Sequence, residues 1–289
     1  MATSKKKRQK STSLSHGRPP AVHKPAASLS SKATRTLIRG HHQLNKALAS
    51  AVRAGDEEVA ASLRKQIEER GGLKSYQQAS IQGQSDERGG DTSRVLLDWL
   101  REPLSALKNQ GFKLRMLEVG SLSVSNACSK SGFFDVARID LNSQSEGIEQ
   151  QDFMMRPLPR SRDEAFDIIS LSLVVNYVPD APGRGQMLQR TCQFLRRVAM
   201  DLQDASKFAP SLFLVLPAPC VTNSRYVDEA LLTDVMNALG YTSIQRKLTS
   251  KLIYYLWRFD HAAAAKRLSF PKREVNPGPT RNNFSITFK

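Results

Sequence analysis

Cysteine is scarce in this 289-residue chain: Cys128, Cys192 and Cys220 stand far apart, with no Cys-x-x-Cys pair and no histidine beside them. That spacing argues against a disulfide framework and gives no support to a zinc site. No metal is expected, and a reducing compartment fits best. Long apolar runs are lacking as well. The best candidate, Leu212–Leu216, meets Pro217 and Pro219 at once, far short of the roughly 20 residues needed to cross a bilayer. It reads as a buried strand. The third scarcity is of acid at the two ends. Residues 1–55 hold twelve Lys/Arg and no Asp/Glu, and residues 261–289 hold six Lys/Arg against Glu274 alone. The net charge of +16 therefore sits in the ends, while residues 56–260 come to about −1. A near-neutral globular centre with basic arms suits a polyanionic partner.

The first 35 residues are rich in Ser, Lys, Arg and Pro and have too little apolar surface to order themselves. Lys5-Lys6-Lys7-Arg8 with Lys10 reads as a nuclear import cluster. A mitochondrial transit peptide is also basic and acid-free, but here the charge is bunched at the start and Pro19-Pro20 breaks any following helix. The nucleus is the expected location.

Periodicity supplies the rest of the organisation. Leu44, Leu48 and Val52 recur at four-residue spacing, Gly55-Asp56 supplies a stop and an N-cap, and Val59, Leu63 and Ile67 share one face of a second helix ending at Gly71-Gly72. Residues 36–70 thus predict a helical hairpin. Tyr76 to Gly90 reads as a polar loop or lid. A helix over 93–110 should bend or split at Pro103. Strand and helix then alternate: strands at 114–119, 134–141, 166–175 and 212–216, helices at 185–203 and 226–239, and a final pair of strands, 243–248 with 252–259. Such alternation predicts an α/β fold, a mostly parallel Rossmann-like sheet closed by a terminal antiparallel hairpin.

Open sheets of this kind bind ligands at the carboxyl ends of their strands, near the point where strand order reverses. Three motifs fall at such ends. Met116-Leu117-Glu118-Val119-Gly120-Ser121 closes the first strand, and its glycine lets the backbone turn and approach a ligand closely. Asp140, twenty residues beyond Gly120, closes the second, where a carboxylate can accept both ribose hydroxyl protons. Gln151-Asp152-Phe153 follows; Asp152 suits an adenine amino group, with Phe153 against the ring. The plainer readings stay open: Gly120 as a simple turn, Asp140 as a solvated cap and Asp152 as a surface charge. Leu122 and Val124 occupy the positions where such loops usually carry further glycines. A phosphate cradle needs open amides, so NAD and ATP are disfavoured. S-adenosylmethionine (SAM) has no phosphate and tolerates the bulkier loop.

These segments, Met116-Leu-Glu-Val-Gly-Ser-Leu-Ser, Arg138-Ile-Asp-Leu-Asn, Gln151-Asp-Phe and Ser172-Leu-Val-Val-Asn-Tyr-Val-Pro, resemble the fungal 25S ribosomal RNA adenine-N(1)-methyltransferases. Tyr76-Gln-Gln-Ala-Ser and Gln82-Gly83-Gln84 resemble the segment that precedes that family's core. The resemblance spans roughly residues 70–260 and neither basic end. It implies SAM held on Gly120 and Asp140, base methylation in large-subunit rRNA, and a nucleolar location; Glu118, Asp152 and Phe153 complete the expected cofactor-binding set. Composition and periodicity predict a basic tail over 1–35, hairpin and lid over 36–90, the SAM-binding domain over 91–260, and a second basic tail over 261–289 whose last 20 or so residues are expected to be disordered. The tails would contact rRNA phosphates. The turn after the 166–175 strand is the expected base pocket, with the Asn176 amide on the adenine edge and Tyr177 as a stacking face. Otherwise Asn176 caps the strand and Tyr177 packs in the core.

Animal relatives of the family resemble a SAM sensor that docks on a signalling complex, with the same Gly120/Asp140 pocket and no methyl acceptor. A methyltransferase acting on protein is a third reading. The basic ends favour the RNA enzyme.

Overall fold

The computed structural model describes residues 30–72, 75, 78–79, 90–143, 145–196, 205 and 207–288. The Lys5–Arg8 cluster and most of the 76–84 motif lie outside these residues.

Two helices come first. α1 (Ser31–Ala54) is capped by the Ser30 side chain, which accepts from the Ala33 amide, and ends at Gly55 with φ 72°. α2 (Glu57–Glu69) starts at Asp56, whose carboxylate accepts from the Val59 amide. The two pack as the expected antiparallel hairpin. Ala51 and Ala60 are buried within it, while Val52 and Val59 are exposed. The expected apolar faces are thus only partly used.

Of the two outcomes expected at Pro103, a split does not occur: α3 (Ser93–Asn109) runs through it as one helix. Leu96 and Leu100 on one side of the proline and Leu104 and Leu107 on the other are all buried in one cluster with Met116, Phe213 and Leu256 of the sheet. At roughly 1.5–3 kcal/mol for each buried leucine, that stripe outweighs a proline cost of about 3 kcal/mol.

The sheet is built from β1 (Leu114–Val119), β2 (Phe134–Asp140), β3 (Glu149–Gln150), β4 (Ile168–Ser172), β5 (Ser211–Pro217), β6 (Tyr241–Leu248) and β7 (Leu252–Phe259). Their order is β3-β2-β1-β4-β5-β7-β6. β1 to β5 are mutually parallel, and β7 runs antiparallel to both β5 and β6. This is the Rossmann-like sheet with a terminal antiparallel hairpin that the sequence predicts. β5, central and buried along Ser211–Leu216, shows why its apolar run is continuous rather than alternating. Short α4 (Ala127–Lys130) follows β1, and α5 (Ala181–Phe194) follows β4. α6 (Pro219–Thr222) and α7 (Glu229–Ala238) follow β5. α5 ends nine residues before the predicted helix end at 203; Val198 and Leu202 lie outside the described residues.

A buried ion pair locks the entry to β4. Asp167 accepts from Arg196 Nε and Nη2 and, at 2.8 Å, from the Arg115 amide. Side-chain exposures of 8% for Asp167 and 15% for Arg196 mean that losing one partner strands a charge. Asp167→Ala should destabilise the fold by about 3–5 kcal/mol, read from denaturant unfolding. A loss below 1 kcal/mol would show that the pair is solvated.

The C-terminal segment departs most from expectation. It packs back on the core instead of trailing as a free tail. Phe284, Ile286 and Phe288 are buried in the main cluster. Phe270 and Phe288 exchange two backbone hydrogen bonds, each 3.0 Å. The Arg184 guanidinium donates to the Ser285 carbonyl at 2.8 Å and to the Pro179 carbonyl at 3.3 Å, and lies over the Phe284 ring. Gly185 permits this docking, because a Cβ there would stand 2.3 Å from the Thr287 carbonyl oxygen. Composition showed the six cations; the phenylalanines between them do the packing.

Candidate functional site

Register brings the three motifs into one row. β1 pairs with β2 so that Val119 faces Ile139, and with β4 so that Val119 faces Leu171. The Gly120 and Ser121 amides both donate to the Ile139 carbonyl, at 2.8 and 3.1 Å. Asp140 lies opposite Gln150 on β3, and its carbonyl accepts from the Gln151 amide at 2.9 Å. The ends of β1, β2 and β4, with the start of the 151–155 turn, therefore stand side by side at the carboxyl edge of the sheet. This grouping lies where the chain stops adding strands toward β3 and restarts at β4, the switch point.

Gly120 has φ +72°, and a Cβ there would stand 2.8 Å from Val174 Cγ2. Both conformation and space demand glycine. The next loop is unlike a phosphate cradle. Ser121 is buried, and its hydroxyl turns back to the Ser123 carbonyl at 3.3 Å. Val124 crowds Gly147. The Asn126 carboxamide oxygen caps α4 at the Ser129 amide, 2.9 Å, while its nitrogen donates to Glu118 Oε1 at 2.7 Å.

Glu118 Oε2 is enclosed without a hydrogen-bond partner among the described residues. Burial pushes its carboxyl above the usual carboxylate range, against the opposing pull of the Asn126 hydrogen bond and the Arg138 charge. A folded state that holds this proton more tightly than the unfolded chain is most stable below the ordinary carboxylate range. It loses stability as pH rises through the shifted value. Glu118→Gln should therefore be more stable than the parent at neutral pH, by about 1 kcal/mol or more, with the gap closing at acid pH. A gap independent of pH in thermal melts would contradict the assigned cause.

Asp140 Oδ1 accepts from the Asn142 amide at 2.8 Å, which sets the carboxylate at the end of β2. Asp152 is exposed, and its Oδ1 accepts from the Met154 amide at 2.8 Å. Phe153 does not match its expected place. It is 2% exposed, with its ring centroid 5.2 Å from that of Phe194, and its carbonyl accepts from Arg190 at 2.9 Å. A ring so covered has no face to offer a ligand; it fastens the 151–155 turn to α5.

The turn after β4 is strained. Leu173 adopts φ +60°, uncommon for a side chain with a Cβ and costing on the order of 1–3 kcal/mol. Val175–Tyr177 then form one 3₁₀ turn. Asn176 Oδ1 is buried with no hydrogen-bond partner among the described residues. Tyr177 is half-buried, and its amide donates to the Val174 carbonyl at 2.9 Å. Asp180 closes the segment by capping α5 at the Gly183 amide, 2.8 Å.

Sequence reasoning missed the N-terminal wall. The Thr92 and Ser172 hydroxyls are 2.8 Å apart. Asp91 accepts from the amide and hydroxyl of Ser93 at 2.9 and 2.6 Å, and from the Ala127 amide. α3 is thereby tied to β4 and to α4. The only available signal was Asp91-Thr92-Ser93, a capping pattern found at many helix starts.

The chain is similar to known proteins over most of its length. Residues carrying the match are 42% identical over 224 positions to "25S rRNA (adenine(2142)-N(1))-methyltransferase" of Saccharomyces cerevisiae, covering 77% of this chain and 61% of that one. They are 37% identical over 253 positions to "25S rRNA adenine-N(1) methyltransferase" of Schizosaccharomyces pombe, covering 86% and 89%. Among solved structures, magnesium protoporphyrin IX methyltransferase of Synechocystis is similar at 14% identity with a TM-score of 0.37, over 63% of this chain and 84% of that one. The family model "25S rRNA (adenine(2142)-N(1))-methyltransferase, Bmt2" matches residues 61–286, taking in the C-terminal segment that the resemblance over 70–260 left out. The chain belongs to the Bmt2 family.

Proposed function

We propose that this protein is a SAM-dependent methyltransferase acting on N1 of an adenine in large-subunit, 25S ribosomal RNA. The observation that carries the reading is the grouping at the switch point of Gly120 and Asp140 with the strained turn bearing Asn176, whose side-chain oxygen has no hydrogen-bond partner among the described residues. Family membership supplies the reaction and the acceptor.

The residues present fit the cofactor. A positive-φ glycine with no room for a Cβ, a carboxylate at the end of β2 and an enclosed, unpartnered Glu118 oxygen suit a ligand with ribose hydroxyls and an amino group. The crowded loop after Gly120 does not suit a pyrophosphate. SAM, when bound, supplies a methyl group made electrophilic by its sulfonium.

Gly120, Asp140, Glu118 and Asp152 hold the cofactor; Phe153 acts one step removed, by fixing the turn that carries Asp152. Asn176 receives the adenine. Its unpartnered atom is an acceptor, and the exocyclic amine is the donor of adenine's Watson–Crick edge. Tyr177 provides a stacking face. Since adenine N1 already has a lone pair, no general base is needed. SAM held by these residues would supply the methyl group, which N1 would take with its own lone pair, leaving the electron pair of the carbon–sulfur bond on sulfur and the positive charge on the base. The protein's task is alignment and exclusion of water, on a base drawn out of its stack. The basic N-terminal residues add phosphate contacts that carry little sequence information. The site of action is the nucleus and its nucleolus.

The test is tritiated SAM with the full chain and large-subunit rRNA lacking the modification. Label in RNA, released by ribonuclease but not by protease, is the expected result. Tight SAM binding with no label in RNA would move a sensor role into first place, and label in protein would overturn RNA as acceptor.

A further inference from the structure

α1 carries a stripe that the reaction does not explain. Lys32, Arg39, Lys46 and Arg53 are seven residues apart and all exposed. Thr36, Gln43 and Ser50, also exposed, alternate with them. Seven residues rise about 10.5 Å and turn to within roughly 20° of the same direction. The four cations therefore form one gently drifting row along the whole helix. The other side, with Thr34, Leu37, Ile38, Leu44, Leu48 and Ala51, is buried or half-buried.

An ordinary solvated helix face mixes signs, because opposite charges near in register support the helix. α2 does this: Arg64 pairs with Glu57 at 3.4 Å and Lys65 with Glu69 at 3.9 Å. α1 has no Asp or Glu among its 24 residues. Its cations are spaced at about one Debye length in 0.1 M salt, so the row tolerates its own repulsion while keeping its attraction for an anion. Its last member reaches the site. Arg53 Nη1 lies 3.8 Å from Asp180 Oδ2, four residues beyond Asn176.

We propose that α1 is a guide rail for the RNA backbone, along which phosphates are led to the site by Lys32, Arg39 and Lys46, with Arg53 marking its inner end. The inference rests on the RNA-methylating reading above. A cation every 10.5 Å or so is sparser than the phosphates, which recur about every 3.4 Å along each strand of a duplex. Each therefore finds a phosphate whatever the base sequence.

The test uses the full chain with Lys32→Gln, Arg39→Gln and Lys46→Gln combined, and a charge-keeping counterpart with Lys32→Arg, Arg39→Lys and Lys46→Arg. Affinity for unmodified large-subunit rRNA is measured against salt, beside SAM affinity and single-turnover methyl transfer. The neutral variant should bind RNA about tenfold more weakly at moderate salt. Its log–log salt slope should be shallower by about 2, three contacts at about 0.7 each. SAM affinity and the rate at saturating RNA should be unchanged, and the charge-keeping variant should match the parent. An unchanged slope in the neutral variant overturns the rail. So does loss of RNA binding shared by the charge-keeping variant, since shape and not charge would then be at work. If the parent methylates RNA while the slope stays fixed, only the rail falls; if the parent transfers no methyl to RNA, the reading beneath it falls too.

Discussion

Asn176→Ala is expected to slow methyl transfer by about 10²–10³-fold, the usual loss when one preorganised polar group is removed from a reaction site, while SAM affinity stays within about threefold. The expectation follows from where the residue stands. Asn176 sits in a 3₁₀ turn whose entry is fixed by the positive φ of Leu173 and whose exit is fixed by the Asp180 cap on α5. Its Oδ1 is enclosed and has no hydrogen-bond partner among the described residues, an arrangement that costs folding free energy unless a ligand donor arrives. Removing it should relieve that cost, so the variant should melt no lower than the parent. Single-turnover transfer measured beside SAM titration separates the roles. Equal loss of both, or a full rate, contradicts the assignment of Asn176 to the base.

Asp140→Ala should do the reverse, acting first on the cofactor. Hydrogen bonds to a charged group contribute about 1.5–3 kcal/mol each, and two ribose hydroxyls make two of them. SAM affinity should fall about 100-fold or more, and transfer at ordinary SAM concentrations should vanish with it. Asp140→Asn, which keeps the shape and one acceptor, should recover part of the affinity. The carboxylate also accepts from the Asn142 amide at 2.8 Å, so thermal unfolding must accompany the titration. A weaker fold with unchanged SAM affinity would make Asp140 a turn residue and nothing more.

The fold was legible because its signals are local. β1, buried at four of its six positions along Leu114–Val119, and β5, covered on both faces, each show the apolar run that burial imposes on an inner strand. The antiparallel hairpin of β6 and β7 shows in the short gap between two apolar runs. What stayed hidden depends on contacts distant in sequence. Pro103 does not split α3 because leucines on both of its sides meet the sheet, which no window around the proline displays. Phe153 looks like a ligand's neighbour from its position after β3, but Phe194, forty-one residues on, claims its ring. The C-terminal segment was misjudged because net charge measures the average residue, and three phenylalanines and an isoleucine determine where the segment lies. In the candidate site, Gly120 was legible as a turn because a strand end with positive φ calls for glycine, while Asp140 was placed only by its position at the end of the next strand. Thr92 and Asp91 were not, since their partners Ser172 and Ala127 are 80 and 36 residues away.

The central claim is transfer of a methyl group to adenine N1, and nucleoside analysis of the reacted RNA tests it most directly. Large-subunit rRNA lacking the modification is incubated with the full chain and isotopically labelled SAM. It is digested at mildly acidic pH, so that 1-methyladenosine does not rearrange to the N6 isomer, and its nucleosides are separated by mass and retention. The account predicts label in 1-methyladenosine with the parent and none with Asp140→Ala. Label in N6-methyladenosine, in a ribose-methylated nucleoside, or in no nucleoside at all would contradict it.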